Sequence, residues 1–369
     1  MKYKRMQIEQ ESPEQLGYDL IKYNLSESSV ADRHLADLKA DLDDVLLCYG
    51  DHMGNPELRR EIASLGAGIA ANDVMVTAGA ASALFIIATS LLTANDHLVV
   101  VRPNYATNIE TPRAIGCDIS YIDVTFEDGF HLDIAALESA IKPNTKFVSI
   151  TYPHNPSGVM LSEGELRAIV EMIDRKGCKL LFDETYREMT QGTPLPVAAT
   201  LSDNVFSVSS LSKTYGIPGI RIGWLICRDP ELMTLFLSAK EQIGISGSMV
   251  DEAIGHAALV QRDEWLAFNN ARIKTAFDLV KSWVENEEYI EWVEPKGGCV
   301  CFPRIKPNSD IDLAKFYSVL FEKYGTYVGP GHWFEMPDNY FRLGYAWPTL
   351  DELEHGLAGL SGAIRDSLK

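Results

Sequence analysis

Long hydrophobic runs are absent from this sequence, since no stretch approaches the ~20 consecutive apolar residues that a membrane-spanning helix needs. The start of the chain, Met1–Met6, carries positive charge, but polar residues follow it where a signal peptide needs an apolar region. We therefore expect no membrane partner and a cytoplasmic location.

Basic residues are also scarce, because 33 Lys and Arg face 52 Asp and Glu and the net charge is −19. A nucleic-acid partner requires a basic surface that neutralises phosphates, so we expect none. With 46% hydrophobic and 23% charged residues, the composition is that of a folded globular protein. It excludes a disordered chain and a fibre.

The cysteines form no C-x-x-C pair, which argues against a disulfide framework. Reduced thiols in a cytoplasm are the simple interpretation. Cysteine and histidine are too dispersed for a zinc site, so we expect no metal. The six cysteines are Cys48, Cys117, Cys178, Cys227, Cys299 and Cys301.

Short apolar runs alternate with amphipathic helical patterns through the first part of the 369-residue chain, which is long enough for about two domains. This alternation is typical of an α/β fold with a mostly parallel sheet, here of seven strands with flanking helices. Ligands of such sheets bind beyond the carboxyl ends of the strands. The predicted strands are Val74–Thr77, His97–Val101, Ile119–Ile122, Phe147–Thr151, Lys179–Asp183, Val205–Ser209 and Gly223–Cys227, and the helical patterns between them include Ala81–Leu92, Leu132–Ile141 and Ser162–Lys176.

The pattern changes from about Leu232 onward. One long helical region, Pro230–Asn286, is followed by strand patterns at Trp292–Pro303 and Tyr327–Tyr345 and by a closing helix, Leu350–Leu368. We interpret this part as a smaller α+β domain. The predicted division is a large α/β domain of residues 46–240 and a small domain of residues 1–45 and 241–369, whose amino-terminal segment forms a strap at the substrate site.

One lysine stands in an unusual local sequence, Ser210-Leu-Ser-Lys-Thr-Tyr-Gly-Ile-Pro-Gly-Ile-Arg-Ile-Gly223. Lys213 follows a predicted buried strand and lies near two serines, a Gly-Ile-Pro-Gly loop and Arg221. A lone lysine after a strand is ordinarily a surface residue. Together these groups favour an amine that forms a Schiff base with a phosphate-bearing partner held by the same loop.

Further polar motifs follow the strands in a fixed order along the chain. They are Tyr49-Gly-Asp-His-Met-Gly-Asn-Pro-Glu-Leu-Arg59, Val76-Thr-Ala-Gly-Ala-Ala81, Arg102-Pro-Asn-Tyr-Ala106, Tyr152-Pro-His-Asn-Pro-Ser-Gly158, Lys179-Leu-Leu-Phe-Asp183, and Pro295-Lys-Gly-Gly298 with Val328-Gly-Pro-Gly331 and Phe341-Arg-Leu-Gly-Tyr-Ala346. With the lysine segment, this set resembles the class I and II pyridoxal-phosphate-dependent aminotransferases of fold type I. The resemblance extends from about Tyr49 to Arg342.

The resemblance implies pyridoxal 5'-phosphate as the cofactor, with Lys213, Asp183 and Tyr105 as catalytic residues. Asp183 would pair with the pyridinium nitrogen, and the ring of Tyr105 would stack on the pyridine. The other implied cofactor contacts are Asn155 and Tyr186 at the phenolic oxygen, and Gly79, Ala80, Ala81, Ser210, Ser212 and Arg221 at the phosphate.

The resemblance also implies an L-amino acid substrate, aldimine and quinonoid intermediates, and transfer of the amino group to a 2-keto acid. Arg342 would bind the substrate carboxylate in a bidentate salt bridge, beside Asn155. The strap Tyr23–Val30 departs from the usual Gly-Pro-containing pattern and is rich in hydroxyl groups. Its Ser26 and Glu27 are candidates for contacts with a cationic substrate side chain, together with nearby acidic residues (Glu9, Glu11 and Asp32), although a solvated acidic face is an alternative.

A second hypothesis follows from similarity to the capreomycidine-synthase branch, carried by the lysine segment and the Pro-His-Asn-Pro-Ser-Gly loop. It implies elimination of a hydroxyl group and cyclisation of a hydroxylated arginine. A third hypothesis, a non-catalytic cofactor-binding regulator, is disfavoured because Lys213, Asp183, Asn155 and Arg342 are all present.

The family resemblance implies a homodimer with shared active sites. Tyr49 would reach the cofactor phosphate of the neighbouring subunit, while a buried core tyrosine is the alternative for this residue. His52, His154 and His332 lie near motif positions in the sequence, and for these histidines both proton transfer and simple packing stay open.

Overall fold

The structure is a computed structural model that describes residues 1–190 and 192–369. Most of its helices flank one large sheet or pack in the carboxyl-terminal part. The helices are α1 (Gln7–Gln10), α2 (Pro13–Leu16), α3 (Pro56–Ala63), α4 (Gly79–Leu91), α5 (Thr107–Ile115), α6 (Ile134–Ala140), α7 (Glu163–Lys176), α8 (Pro230–Gly244), α9 (Met249–Val260), α10 (Arg262–Asn286), α11 (Leu313–Glu322) and α12 (Leu350–Asp366).

The strands are β1 (Tyr23–Asn24), β2 (Val74–Ala78), β3 (His97–Arg102), β4 (Asp118–Asp123), β5 (Thr145–Thr151), β6 (Lys179–Asp183), β7 (Val205–Ser210), β8 (Ile222–Ile226), β9 (Ile290–Glu291), β10 (Val300–Cys301), β11 (Arg304–Ile305), β12 (Thr326–Tyr327), β13 (Gly329–Pro330) and β14 (Phe341–Gly344). Within the described residues, the large sheet has seven strands in the order β2-β8-β7-β6-β5-β3-β4. Strands β3 to β7 are parallel, and β8 is antiparallel to both β2 and β7. This confirms the predicted mostly parallel seven-stranded sheet.

The apolar runs form strands because helices cover the sheet and bury both faces of its central strands. Residues of β5 to β8 are buried almost throughout, which is the burial expected of a parallel sheet between helix layers. Helix α7 begins with a capping box in which Ser162 and Glu165 exchange hydrogen bonds, and it ends at Gly177 in the left-handed region.

The carboxyl-terminal part is less regular than its sequence pattern suggests. The predicted helical region Pro230–Asn286 is helical over nearly its whole length, although it is divided into the three helices α8, α9 and α10. The predicted long strands there are also shorter than expected, since β9 to β13 have two residues each. Side chains of these strands, among them Ile290, Cys301 and Ile305, are buried in a separate hydrophobic cluster, and the strands pair in small sheets of two or three strands apart from the large sheet.

The amino-terminal residues join this second cluster and the large sheet. Leu25 is fully buried in it, and β1 pairs in parallel with β12. The division into domains of residues 46–240 and of 1–45 with 241–369 stays a prediction. No helix within the described part of the chain is long and apolar enough to cross a membrane.

Parallel packing brings the polar residues that follow β3, β5, β6 and β7 to one edge of the sheet. At this edge, a glycine allows two backbone segments to approach each other closely. A Cβ on Gly223 of β8 would lie 2.5 Å from the backbone nitrogen of Ala80, so only glycine lets β8 pack against the start of α4.

Candidate active site

A cavity of about 450 Å³ lies beyond the carboxyl edge of the sheet, between it and the carboxyl-terminal part. It brings together nearly all the residues that the sequence predicts for one site. The predicted residues that line it are Ser26, Glu27, Ala80, Ala81, Tyr105, Asn155, Asp183, Tyr186, Ser210, Ser212, Lys213, Arg221 and Arg342. A larger, more open hollow of about 860 Å³ lies elsewhere, between Leu47–Tyr49 and Glu241–Val250, and holds none of these side chains.

Lys213 stands in the loop after β7, and its side chain reaches the cavity. The loop is fixed through the backbone, because Val30 N–H donates to the Lys213 carbonyl oxygen at 3.1 Å and Arg33 N–H to that of Gly216 at 2.9 Å. Within residues 1–190 and 192–369, Lys213 Nζ has no hydrogen-bond or ion-pair partner. The amine is therefore available to a bound molecule.

One end of the cavity is built for an anion. Helix α4 begins there without a side-chain cap, so its first N–H groups are free. The guanidinium of Arg221 lies against Gly79, where a Cβ would be 2.5 Å from Nη2. Gly79, which was predicted to contact the phosphate, does not line the cavity. Because it has no side chain, it allows Arg221 to approach the start of α4. With the buried Ser210 and Ser212, this end suits a phosphate group.

Asp183, at the end of β6, is 4% exposed and lacks a cationic partner among the described side chains. Burial raises the pKa of its carboxyl group, while hydrogen bonds from Thr185 N–H (3.2 Å) and Oγ1 (2.7 Å) act in the opposite direction. A buried carboxylate without a cation is costly. The protonated ring nitrogen of pyridoxal phosphate would supply that cation, so the residues present fit the cofactor.

Arg342, on β14, is 4% exposed and lines the cavity from the carboxyl-terminal part of the chain. Its Nη2 donates to the Ser26 carbonyl oxygen at 2.7 Å, and its Nη1 donates to Asn155 Oδ1 at 3.3 Å. Its Nε has no partner among the described residues. A guanidinium with a free donor at a cavity wall suits a carboxylate ligand.

Two tyrosines complete the ring-binding part of the cavity. Tyr105 follows β3, and burial raises the pKa of its phenol. Tyr186 is 4% exposed, and burial likewise raises its pKa well above the ordinary tyrosine value. Both phenols therefore stay protonated at neutral pH and can donate hydrogen bonds.

The strap reaches the cavity through a second glycine contact. Gly344 N–H donates to the Leu25 carbonyl oxygen at 2.7 Å, and a Cβ on Gly344 would lie 1.7 Å from the Glu27 carbonyl oxygen. Tyr18 Oη donates to Glu27 Oε1 at 3.1 Å. The structure therefore places Ser26 and Glu27 beside Arg342 in the cavity wall.

Tyr49 is 80% exposed and lies outside the cavity. The alternative of a buried core tyrosine is wrong, since no core packs around its ring. It lines the larger open hollow, with Leu47 and Cys48. Contact with the cofactor of another subunit stays a prediction.

The three histidines have packing or surface partners. Buried His154 holds the loop that presents Asn155, with Nδ1 2.6 Å from Ser157 Oγ and Nε2 2.8 Å from the Pro103 carbonyl oxygen. Burial lowers its pKa to about 4, so the ring is neutral. His52 pairs with Glu241 at 2.6 Å on the surface, and His332 contacts Glu11 and Asp338.

The acidic residues near the amino terminus divide into two groups. Glu9, Glu14 and Asp32 line the cavity, as Glu27 does. Glu11, the other acidic residue near the strap in sequence, is not among the residues that line the cavity, and its carboxylate accepts hydrogen bonds from His332 and Trp333.

Sequence reasoning missed several wall residues, including Ser12, Glu14, Tyr18, Ser28 and Thr185. It also missed the buried network in which Thr151 Oγ1 and Asn108 Nδ2 donate to Asn104 Oδ1 at 2.9 and 3.2 Å. The amino-terminal wall residues belong to no strand-end motif, so only the concentration of acidic residues before Asp32 could have pointed to them.

Comparisons with known proteins bear on this site. The family model described as aminotransferase class I and II matches residues 23–360. Capreomycidine synthase of Streptomyces vinaceus is 27% identical over 357 residues, covering 93% of this chain and 90% of that protein. A PLP-dependent aminotransferase structure from Streptococcus suis has a TM-score of 0.92 at 26% identity and full coverage of both chains, 100% each. The structure of a PLP-dependent cyclase, OrfR, has a TM-score of 0.89 at 28% identity and covers 99% of this chain and 98% of its own.

Proposed function

Because this chain belongs to the aminotransferase class I and II family, whose fold and pyridoxal phosphate cofactor it shares, we propose that it transfers the amino group of an L-amino acid to a 2-keto acid. The observation that carries the proposal is the set of charged groups that one cavity brings together. Arg221, buried Asp183 and Arg342 line it together with the Lys213 amine, which has no partner among the described residues.

The chain's own residues would hold the cofactor by charge and shape. Arg221, Ser210, Ser212 and the amino terminus of α4 would bind its phosphate. Asp183 would pair with its ring nitrogen, and Tyr105 would pack on the ring, while Asn155 and Tyr186 would donate to its phenolic oxygen. When bound, the cofactor supplies an electron sink for the electrons that the substrate α-carbon gains on losing its proton.

Arg342 would orient the amino acid by binding its carboxylate, with Asn155 beside it. Lys213 Nζ would then take the proton from the α-carbon, since it is the amine in the cavity without another partner. Burial of Asp183, Tyr186 and Arg342 excludes water and strengthens each of these interactions.

A second candidate function is elimination and cyclisation of a hydroxylated arginine-like amino acid. The observation that favours it is the acidic wall of Glu9, Glu14, Glu27 and Asp32, which suits a side-chain cation. In this reaction the substrate hydroxyl leaves with a proton as water, and a guanidine nitrogen bonds to the carbon it left. Similarity to capreomycidine synthase and to the OrfR cyclase supports this candidate.

Product analysis separates the two functions. The holoenzyme is incubated with L-alanine, L-aspartate, L-arginine and hydroxylated arginines, each with and without 2-oxoglutarate or pyruvate, and the products are identified by mass spectrometry. Turnover that requires a keto acid and forms a new amino acid supports transamination. A cyclic product with loss of water and no keto-acid requirement overturns it in favour of cyclisation.

We also propose a homodimer with the active site at the subunit interface. Large apolar side chains are exposed around the open hollow, with Leu46, Leu47 and Tyr49 each at least 75% exposed. Such a patch is typical of an interface.

All six cysteines are free, which supports a reducing compartment and a cytoplasmic location.

A further inference from the structure

The amino-terminal segment of residues 7–16, here called the wall segment, forms one side of the cavity. Ile8, Glu9, Ser12, Pro13 and Glu14 of this segment all line it. Its helices α1 and α2 have four residues each and neither has a side-chain cap. Helices this short are not stable by themselves, so contacts from elsewhere must hold the segment in place.

One such contact is made by Glu11, which lies between α1 and α2. Its Oε2 accepts hydrogen bonds from His332 Nε2 and from Trp333 Nε1, both at 2.8 Å. Its carbonyl oxygen accepts another from Tyr327 Oη at 2.7 Å. We call the group formed by Glu11, His332, Trp333 and Asp338 the Glu11 clasp. It joins the wall segment to a loop more than 300 residues away in the sequence.

The clasp requires a charged histidine. The two ring nitrogens of His332 lie 2.8 Å from Glu11 Oε2 and 2.8 Å from Asp338 Oδ1. Only the protonated ring can donate at both nitrogens. Glu11 from the wall segment and Asp338 from its own loop are the charged groups that face the ring in the described chain. Although partial burial lowers the pKa of His332, hydrogen bonds to the two carboxylates raise it overall.

Trp333, a member of the Glu11 clasp, lies in the part of the cavity where the substrate is proposed to bind. Trp333 is 4% exposed and lines the cavity. Its ring centroid lies 5.9 Å from the Arg342 guanidinium carbon. The Glu11 carboxylate therefore connects the wall segment to Trp333, the residue beside the proposed carboxylate-binding arginine.

We propose that Glu11 is a positioning residue, which with His332 and Trp333 holds the wall segment against the Arg342 end of the cavity and so forms the state that binds substrate. The proposal rests on the amino-acid substrate proposed above. It adds that binding weakens as pH rises, because the deprotonated ring of His332 can donate to only one of its two carboxylates.

The first test is hydrogen–deuterium exchange of the holoenzyme without substrate. Glu11→Gln keeps the shape of the side chain but removes its charge, and His332→Gln removes the imidazolium. Both are expected to speed exchange of residues 7–16, whereas the control His355→Gln, at an exposed histidine of α12 paired with Asp351, is not. In the wild type, the protection of this segment, which is the intrinsic rate of unprotected amides relative to its exchange rate at the same pH, is expected to fall as pH increases through the raised pKa of His332.

The second test measures binding by absorbance titration with L-arginine and L-alanine, which needs no turnover. We expect both clasp variants to bind about tenfold more weakly, the size of one lost charge-assisted hydrogen bond. For whichever amino acid turns over, KM rises by more than kcat falls. The wild-type decrease in affinity with rising pH is absent in His332→Gln.

Unchanged exchange of residues 7–16 in both variants overturns the proposal, and so does faster exchange with unchanged affinity. If neither amino acid binds the wild type and none of the panel turns over, the proposed function fails instead. The exchange result then shows separately whether the clasp holds the wall segment.

Discussion

At the residue scale, the buried carboxylate of Asp183 is expected to affect both the stability of the apoenzyme and the proposed turnover. Its pKa is raised by burial, so the folded apoenzyme is penalised once pH rises above the unfolded pKa of this group and the carboxylate ionises. Bound cofactor would remove the penalty by supplying a cation. We therefore expect the same residue to destabilise the apoenzyme and to stabilise the holoenzyme.

Asp183→Asn is expected to raise the melting temperature of the apoenzyme at pH 7 and to lower kcat of the holoenzyme by ~10²–10³-fold, since breaking a buried ion pair costs ~3–5 kcal/mol. Calorimetry of the apoenzyme and steady-state kinetics check the two effects. A matched control is Asp174→Asn, whose carboxylate accepts hydrogen bonds from Ser202 and Asn204 at the surface. An Asp183→Asn variant with wild-type kcat would contradict a role for Asp183 in the proposed reaction.

Arg342→Lys tests carboxylate binding at the same scale. Lysine keeps the charge but lacks the planar fork that binds a carboxylate with two donors. We expect KM for the amino acid to rise about tenfold or more, which corresponds to one lost charge-assisted hydrogen bond. Arg365→Lys, in the last turn of α12, is the control. Equal KM values for the two variants would mean that Arg342 does not bind the carboxylate.

At the element scale, strand β14 holds the strap in place through Gly344. Gly344→Ala puts a methyl group against the Glu27 carbonyl oxygen, so the strap must move. We expect a loss of ~1–3 kcal/mol in the free energy of unfolding, together with a higher KM, because overpacking displaces Ser26 and Glu27. Urea denaturation and kinetics measure both.

Gly164→Ala in α7 is the control for this change, since a Cβ there meets only Ser162 Oγ at 3.9 Å. It is expected to leave KM unchanged and to keep or raise stability, because alanine favours a helix. If Gly344→Ala behaved in the same way, the strap would not depend on this contact.

The sequence predicts the strands of the large sheet but not the short strands of the carboxyl-terminal part. The ends of all seven strands of the large sheet agree with the sequence prediction within one or two residues, because buried runs such as Phe147–Thr151 carry a strong apolar signal. The strand ends then located Asn155, Asp183 and Lys213 at one edge. The two-residue strands of the carboxyl-terminal part have no such signal, since tertiary packing rather than alternation defines them.

The wall segment was not predictable for a related reason. Glu11 and His332 meet across more than 300 residues, and neither stands in a strand-end motif. Acidic composition alone could not distinguish Glu11, which binds His332, from Glu9, which faces the cavity. Such assignments require the packed structure.

At the scale of the whole molecule, the exposed apolar side chains around the open hollow predict self-association. We expect sedimentation velocity to give a dimer for the wild type and a shift toward monomer for Leu47→Glu, because Leu47 is 79% exposed and a buried charge would be unpaired. Leu368→Glu, at the carboxyl terminus, is the control. Loss of cofactor on dissociation would support the predicted contribution of Tyr49, whereas a monomeric wild type with bound cofactor would contradict it.

The central proposal is that Lys213 carries the cofactor and moves the substrate proton, and one absorbance experiment tests it most directly. Spectra of the purified wild type, Lys213→Ala and the control Lys240→Ala, a lysine whose ammonium donates to the His52 carbonyl oxygen instead, are recorded before and after amino acids are added. We expect a visible lysine-bound cofactor band in the wild type and in the control, which changes with a substrate amino acid, and no such band in Lys213→Ala. An identical band and identical spectral changes in Lys213→Ala, or no band in the wild type after reconstitution with pyridoxal phosphate, would contradict the proposal.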